Sequence, residues 1–256
     1  MNVVKTKKFS TLEVLSGNNF FLSDSEIPSS HGLEWSEREF ARIFTTFPYD
    51  YIAKLSIHNR QSLKSIANQV DGKNFSSKVS SSQSLIYGEI NNLKPIWIIF
   101  NIIRNHSNGS RELKKFYDLG SGIGKPVIAA ALCASLIGTE EAIGIEVLPS
   151  LFDISITAKR LLEENCRIKV NFYLSSLLTD EIDWSDGDII FANSTCYDKD
   201  LMEHLYFKSL KLKRGSYFIT LTNQLPDDKQ IFLLISEERY EMSWGMADFY
   251  IYIKKI

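Results

Sequence analysis

A chain of 256 residues with 44% hydrophobic and 23% charged side chains has material for one large packed domain, or for a catalytic domain with a smaller extension, and is not a disordered polymer. Its formal charge of −2 excludes a strong general affinity for nucleic acid, which needs clustered Lys and Arg to neutralise phosphates. Cys133, Cys166 and Cys196 form no CxxC pair and the four histidines lack ligand spacing, so neither a disulfide framework nor a metal site is indicated.

The basic spots at Lys5, Lys7 and Lys8 and at Lys211, Lys213 and Arg214 read as solvated surface. Met1 to Ser16 hold no apolar core of signal-peptide type, and no apolar run is long enough to span a bilayer. A soluble cytoplasmic or nuclear protein is therefore expected, with export by a signal-less route left open.

The first part, to about residue 70, reads as helical. Ser36 and Glu39 have capping-box spacing, Phe40, Ile43, Phe44 and Phe47 share one helix face, and Pro48 stops the helix. Asp71 to Ser84 is crowded with serine and reads as a linker, dividing a helical region (1–84) from a main domain (85–256). Leu93, Ile96, Trp97 and Phe100 return to helical spacing.

From there strands and helices alternate. Strands are predicted over Lys115 to Leu119, Ala142 to Val147, Ile168 to Leu174, Asp188 to Ala192 and Ser216 to Thr222. Helices are predicted over Pro126 to Ile137, Pro149 to Glu164 and Asp198 to Leu212. Unalternated apolar strands in such a succession mean a parallel sheet covered on both faces. Two final strands, around Tyr240 to Trp244 and Phe249 to Ile253, read as an antiparallel hairpin turning near Gly245.

The segment Asp118-Leu119-Gly120-Ser121-Gly122-Ile123-Gly124-Lys125-Pro126 carries the chemistry. Glycines directly after a strand allow a tight turn and close approach of a ligand to the backbone, and Pro126 suits the first turn of a helix. The spacing is G-x-G-x-G, not the G-x-G-x-x-G of dinucleotide sites. Asp118 would repel a pyrophosphate but favour the ammonium of S-adenosylmethionine, which has no phosphate. Glu146, at the end of the second strand, is placed to accept the ribose hydroxyls. Asn193 follows the fourth strand, where ligands of parallel sheets sit. Its amide oxygen can accept from an incoming amine, or it can serve as a helix cap alongside Ser194, Thr195 and Asp198.

Leu85-Ile86-Tyr87-Gly88-Glu89-Ile90, Asp118 to Gly124, Gly144-Ile145-Glu146, Phe191-Ala192-Asn193, and Met242-Ser243-Trp244-Gly245 with Tyr250 resemble the disruptor-of-telomeric-silencing family over about residues 84 to 256. These are class I, non-SET lysine methyltransferases whose founding members act on histones. The resemblance implies a Rossmann-like fold with a seven-stranded, mostly parallel sheet and S-adenosylmethionine as cofactor. It implies that Tyr87, Gly88 and Glu89 loop over the cofactor, and that Gly120, Ser121, Gly122 and Gly124 lie along it with Asp118 and Glu146. It sets Asn193 beside the methyl group, and lets Tyr197, Trp244 and Tyr250 wall a lysine channel. Where the family has a Gly-Asp-Phe-Leu element that holds the adenine amino group, this chain has Leu174-Ser175-Ser176-Leu177-Leu178, leaving Ser176, a backbone group or Asp183 for that task. The asparagine pair of nucleosomal members is here Asn193-Ser194, and no long basic stretch appears.

A protein lysine methyltransferase is the leading expectation, with a protein as partner. A small-molecule or nucleic-acid methyltransferase, and a cofactor-binding module without turnover, stay open. A nucleic-acid amino-methylase would be expected to show Asn-Pro-Pro-aromatic after the fourth strand, and Asn193-Ser194-Thr195 lacks both prolines.

Overall fold

The computed structural model describes residues 32–69, 88–108, 112–163, 166, 168–226 and 230–256. The serine-rich linker and Tyr87 lie outside them. The described elements run α1 (Leu33–Phe44), α2 (Tyr49–Gln69), α3 (Lys94–His106), β1 (Lys115–Leu119), α4 (Lys125–Leu132), β2 (Glu141–Glu146), α5 (Pro149–Glu163), β3 (Lys169–Leu174), β4 (Ile189–Ala192), α6 (Lys199–Ser209), β5 (Tyr217–Leu221), β6 (Phe232–Met242) and β7 (Gly245–Lys254).

The strands form one sheet in the order β3-β2-β1-β4-β5-β7-β6, with β1 to β5 parallel and β7 inserted antiparallel between β5 and β6. The chain builds outward from β1 to β3, then returns to add β4 against the other side of β1. That reversal opens a crevice at the tips of β1 and β4, the place where ligands bind in open parallel sheets. Alternation divides the core. Phe116, Phe191, Ile219 and Phe249 face one cluster, and Tyr117, Ile190, Phe218 and Tyr252 face the other. Because Asp118 and Asn193 continue the parity of Phe116 and Phe191, the strand pattern carries them toward the same layer as α4.

Helix α4 is almost wholly buried, so it needs apolar side chains all round and has them in Val127, Ile128 and Ala129 to Ala131. It is shorter than predicted. It ends at Leu132, and a 3₁₀ turn over Ala134–Leu136 takes up the rest of the expected Pro126 to Ile137 helix. Helix α1 lies against it, and Phe40, Ile43 and Phe44 join the first core cluster.

Two further expectations change. Ser36 caps nothing: α1 begins at Leu33 behind Gly32, and the Ser36 hydroxyl donates instead to the carbonyl of Leu132 (3.1 Å). Glu39 pairs with Arg42 one turn on. The terminal strands extend well past the predicted cores, because cross-strand pairing overrides the polar residues Ser236 to Arg239 on the sheet edge.

Candidate active site

Strand β1 delivers Asp118 to the tip of the sheet and the glycine loop turns the chain into α4. Gly120 and Gly124 have φ of +82° and +88°, in the left-handed region that a side chain disfavours. Both also lack room. A Cβ on Gly120 would sit 2.2 Å from the Tyr197 hydroxyl, and one on Gly124 would sit 2.5 Å from the Phe172 ring. The loop ends in a crevice open to solvent at the tips of β1 and β4. Gly88, Glu89, Asp118, Ser121, Lys125 and Asn193 are among its lining residues.

Asp118 is 1% exposed, and neither of its carboxylate oxygens has a hydrogen-bond partner. Burial, and then the negative charge of Glu146, hold its carboxyl well above the usual carboxylate range. An unsatisfied buried polar group costs about 1–3 kcal/mol, so this residue is maintained against stability. The Ser121 hydroxyl, also buried, has no partner either. An ammonium or other cationic donor would satisfy Asp118. In the same crevice the Lys125 ammonium pairs with the Glu89 carboxylate, both side chains under a tenth exposed, and lies 5.6 Å from the centre of the Phe44 ring. A carboxylate and an ammonium lining one crevice match the two charges of an amino-acid group. The chain's own residues therefore fit the methionine end of S-adenosylmethionine.

Glu146 accepts from the amides of Gly122 (2.7 Å), Val147 (2.9 Å) and Leu148 (2.7 Å). Burial raises its carboxyl, and these amides act against that rise. Three of about four lone-pair sites on the carboxylate are thus in use. Ser176 lies past β3, where its hydroxyl accepts from the Leu178 amide (3.2 Å), and Asp183 accepts from the Ser185 amide (2.9 Å).

The aromatic residues divide. Tyr197 reaches back over the glycine loop and donates to the Leu119 carbonyl (2.6 Å). Burial first, then Asp118 and Glu146, push its hydroxyl well above its ordinary value. Tyr250 sits in β7 opposite Thr220 and is nearly buried. Trp244, at the hairpin tip and 37% exposed, lays its ring on Gly88. The same contact region is stapled by backbone. Glu89 N donates to Ser243 Oγ, Ser243 N donates to the Glu89 carbonyl (both 3.1 Å), and Ile90 bridges Met242. Two sequence elements 154 residues apart are thus one structural unit.

Asn193 is joined to that unit. Its Nδ2 donates to the Gly88 carbonyl (3.0 Å), and its Oδ1 accepts from the Thr195 hydroxyl (3.2 Å). It makes no side-chain cap, and Asp198 caps α6 by accepting from Leu201 N (2.9 Å). Ser194, fully buried, ties β4 to β5. Its hydroxyl donates to the Leu221 carbonyl (2.7 Å) and accepts from the Leu221 amide (3.1 Å). Thr222 has φ +62°, a left-handed conformation that costs a β-branched residue about 1–3 kcal/mol.

Sequence reasoning missed Lys125, whose signal was a cation directly after the last glycine of the loop. It also missed Ser194 and Thr222 as fasteners, for which no local signal exists. Among the described residues no helix is long and apolar enough to cross a membrane.

No curated protein matches the chain. Among solved structures it is similar to TrmN from Thermus thermophilus (19% identity, 62% of this chain and 48% of that one, TM-score 0.45). It is also similar to the putative methyltransferase yhhF from Escherichia coli (15%, 62% and 87%, 0.47). A third likeness is magnesium protoporphyrin IX methyltransferase ChlM from Synechocystis with bound SAH (9%, 64% and 83%, 0.46). The chain spans about half the length of TrmN. The family described as Histone methylation protein DOT1 matches residues 69–243, over half of the chain. The chain belongs to that family of class I, non-SET lysine methyltransferases and is an S-adenosylmethionine-dependent methyltransferase.

Proposed function

We propose that the enzyme methylates the ε-amine of lysine side chains in a protein, a histone being the first candidate, with the crevice at the tips of β1 and β4 as the reaction site. The observation that carries this reading is Asp118, a fully buried carboxyl with two orphaned oxygens lining that crevice. Asp118 and Glu89 hold the cofactor's ammonium, and Lys125 meets its carboxylate. Gly120, Ser121, Gly122 and Gly124 give its backbone cradle, and Glu146 faces the ribose. Ser176, a backbone group or Asp183 meets the adenine. Tyr87 belongs to the same loop by sequence.

When bound, S-adenosylmethionine supplies a methyl on a sulfonium, transferable to an amine by in-line displacement. The amine must be neutral, whereas lysine ordinarily titrates near 10.4. Trp244, Tyr250 and Tyr197 contribute by excluding water, which disfavours the ammonium form. The Asn193 Oδ1 has a second lone pair to accept an amine hydrogen and orient the nitrogen. Orientation supplies much of the acceleration, so no dedicated base is needed.

The test is to incubate the purified chain and its Asn193→Ala variant with tritiated S-adenosylmethionine and a cell lysate, then map the labelled residues by mass spectrometry. Labelled lysine, lost in the variant, is the expected result. Label confined to RNA or small molecules refutes the lysine reading.

A further inference from the structure

The Gly88 carbonyl can only accept, so the amide group beside it must be the Nδ2 of Asn193, and Oδ1 must face Thr195. Thr195 has one hydroxyl proton, which it gives to that oxygen. Its own oxygen lies 3.0 Å from the Thr222 hydroxyl. With the Thr195 proton already committed, Thr222 is the donor in that contact. The three groups form a chain with one direction, Thr222 to Thr195 to Asn193.

Thr222 is an odd residue for its place. Its left-handed backbone suits Gly or Asn far better than a β-branched side chain. The conformation is imposed from several sides. Thr222 N donates to the Asp248 carbonyl (2.7 Å), and Asn223 Nδ2 donates to the carbonyls of Ser194 (2.6 Å) and Tyr197 (3.2 Å). Strain held this firmly at the edge of a site is a reason to look for a use of the side chain.

We propose that Thr222 and Thr195 are positioning residues that lock the Asn193 amide in the orientation needed at the methyl acceptor. The proposal rests on the reading of Asn193 given above. Ser194, buried beside Asn193, fastens the strand tips through Leu221 and leaves Asn193 to be steered by hydroxyls.

The test has a readout independent of turnover. In the ¹⁵N-labelled full chain, the side-chain amide pair of Asn193 is identified by its loss in Asn193→Ala. That pair should shift in Thr195→Val and in Thr222→Gly, and return to its wild-type position in Thr195→Ser. Turnover of purified core histones with tritiated S-adenosylmethionine should fall in the first two by about 10- to 100-fold, in kcat with cofactor KM unchanged, and recover in Thr195→Ser. Thr222→Gly relieves the left-handed strain, so it should melt no lower than wild type while turning over more slowly. A purely structural role would lower both together. An Asn193 pair that stays in place in both Thr195→Val and Thr222→Gly overturns the relay. Full turnover in Asn193→Ala overturns the reading of Asn193 instead, and with it the catalytic purpose of the relay.

Discussion

Gly88→Ala is the smallest change that tests the architecture of the site. Gly88 does not have a left-handed backbone, so its constraint is space alone. An added Cβ would lie 2.4 Å and 2.5 Å from two carbons of the Trp244 ring. Carbon atoms pack at about 3.5 Å, so ring or loop must yield by 3.5 − 2.4, about 1.1 Å. The loop cannot yield without consequence. It is stapled at Glu89 and Ile90, and its Gly88 carbonyl holds Asn193.

A shift of about 1 Å at a positioned group costs on the order of 10²-fold in rate, or about 2.7 kcal/mol of activation free energy. Overpacking adds about 1–3 kcal/mol of lost stability, read as a fall of about 2–4 °C in Tm for each kcal/mol. Steady-state turnover and thermal melting of Gly88→Ala, Trp244→Ala and the double variant form a cycle. Because the clash needs both side chains, the double variant should melt higher than the sum of the singles predicts, and should regain part of the Gly88→Ala loss in rate. A Gly88→Ala enzyme with wild-type rate and Tm, or a strictly additive cycle, refutes the argument.

Asp118→Asn should weaken cofactor binding by about 10²- to 10³-fold in calorimetry, the cost of removing one partner of a buried charge pair. It should also raise the Tm of the free protein at pH 8. The folded carboxyl titrates above its unfolded value, so wild-type stability falls as pH rises from about 3.8 through the folded value, and Asn has no such penalty. For the same reason, cofactor affinity should climb with pH as Asp118 ionises, with a proton released on binding. It should stop climbing near pH 8, where an α-amino group begins to lose its charge. Proton release that is equal in wild type and Asp118→Asn would count against this assignment. Lys125→Met takes the cation away from the buried Glu89 carboxylate and should cost about 3–5 kcal/mol, with much of it recovered in Lys125→Met/Glu89→Gln. Additive losses in that pair would show that the two side chains act separately.

Much of the fold was legible because it is written in short-range pattern. A continuous apolar run such as Ile189 to Ala192 marks a buried parallel strand, and the glycine loop marks the turn between β1 and α4. The errors came where tertiary contact overrode local rules. Ser36 looks like a cap only until Leu132, 96 residues away, offers its carbonyl. The polar run in β6 looks like a loop until β7 pairs with it along its length. Of the candidate site, Asp118, Glu146 and Asn193 were named from spacing, but their environments were not. That Asp118 is orphaned while Glu146 accepts from three amides depends on how the loop folds back, and no periodicity encodes it.

The joining roles within the site that sequence reading did not assign share one property. Gly88 and Ser243, read only as parts of motifs, and Ser194 and Thr222 each join two strand tips or a tip and a loop, and none of these contacts could be chosen from immediate neighbours in sequence. Their chemistry is ordinary: a carbonyl, two hydroxyls on strand ends, a serine at a hairpin turn. What gives them weight is that β1, β4, β5 and the β6–β7 hairpin all end at one edge of the sheet, so any polar group there meets groups from distant segments. The Asn193 amide is held at one end by a loop 105 residues before it and steered at the other by a threonine just past the tip of β5. A rigid sheet therefore sets the geometry of a small number of acceptors and donors without a dedicated domain for the purpose. The cost falls on the positions that cannot relax, an uncompensated Asp118 and a strained Thr222, which is where substitution should separate stability from activity.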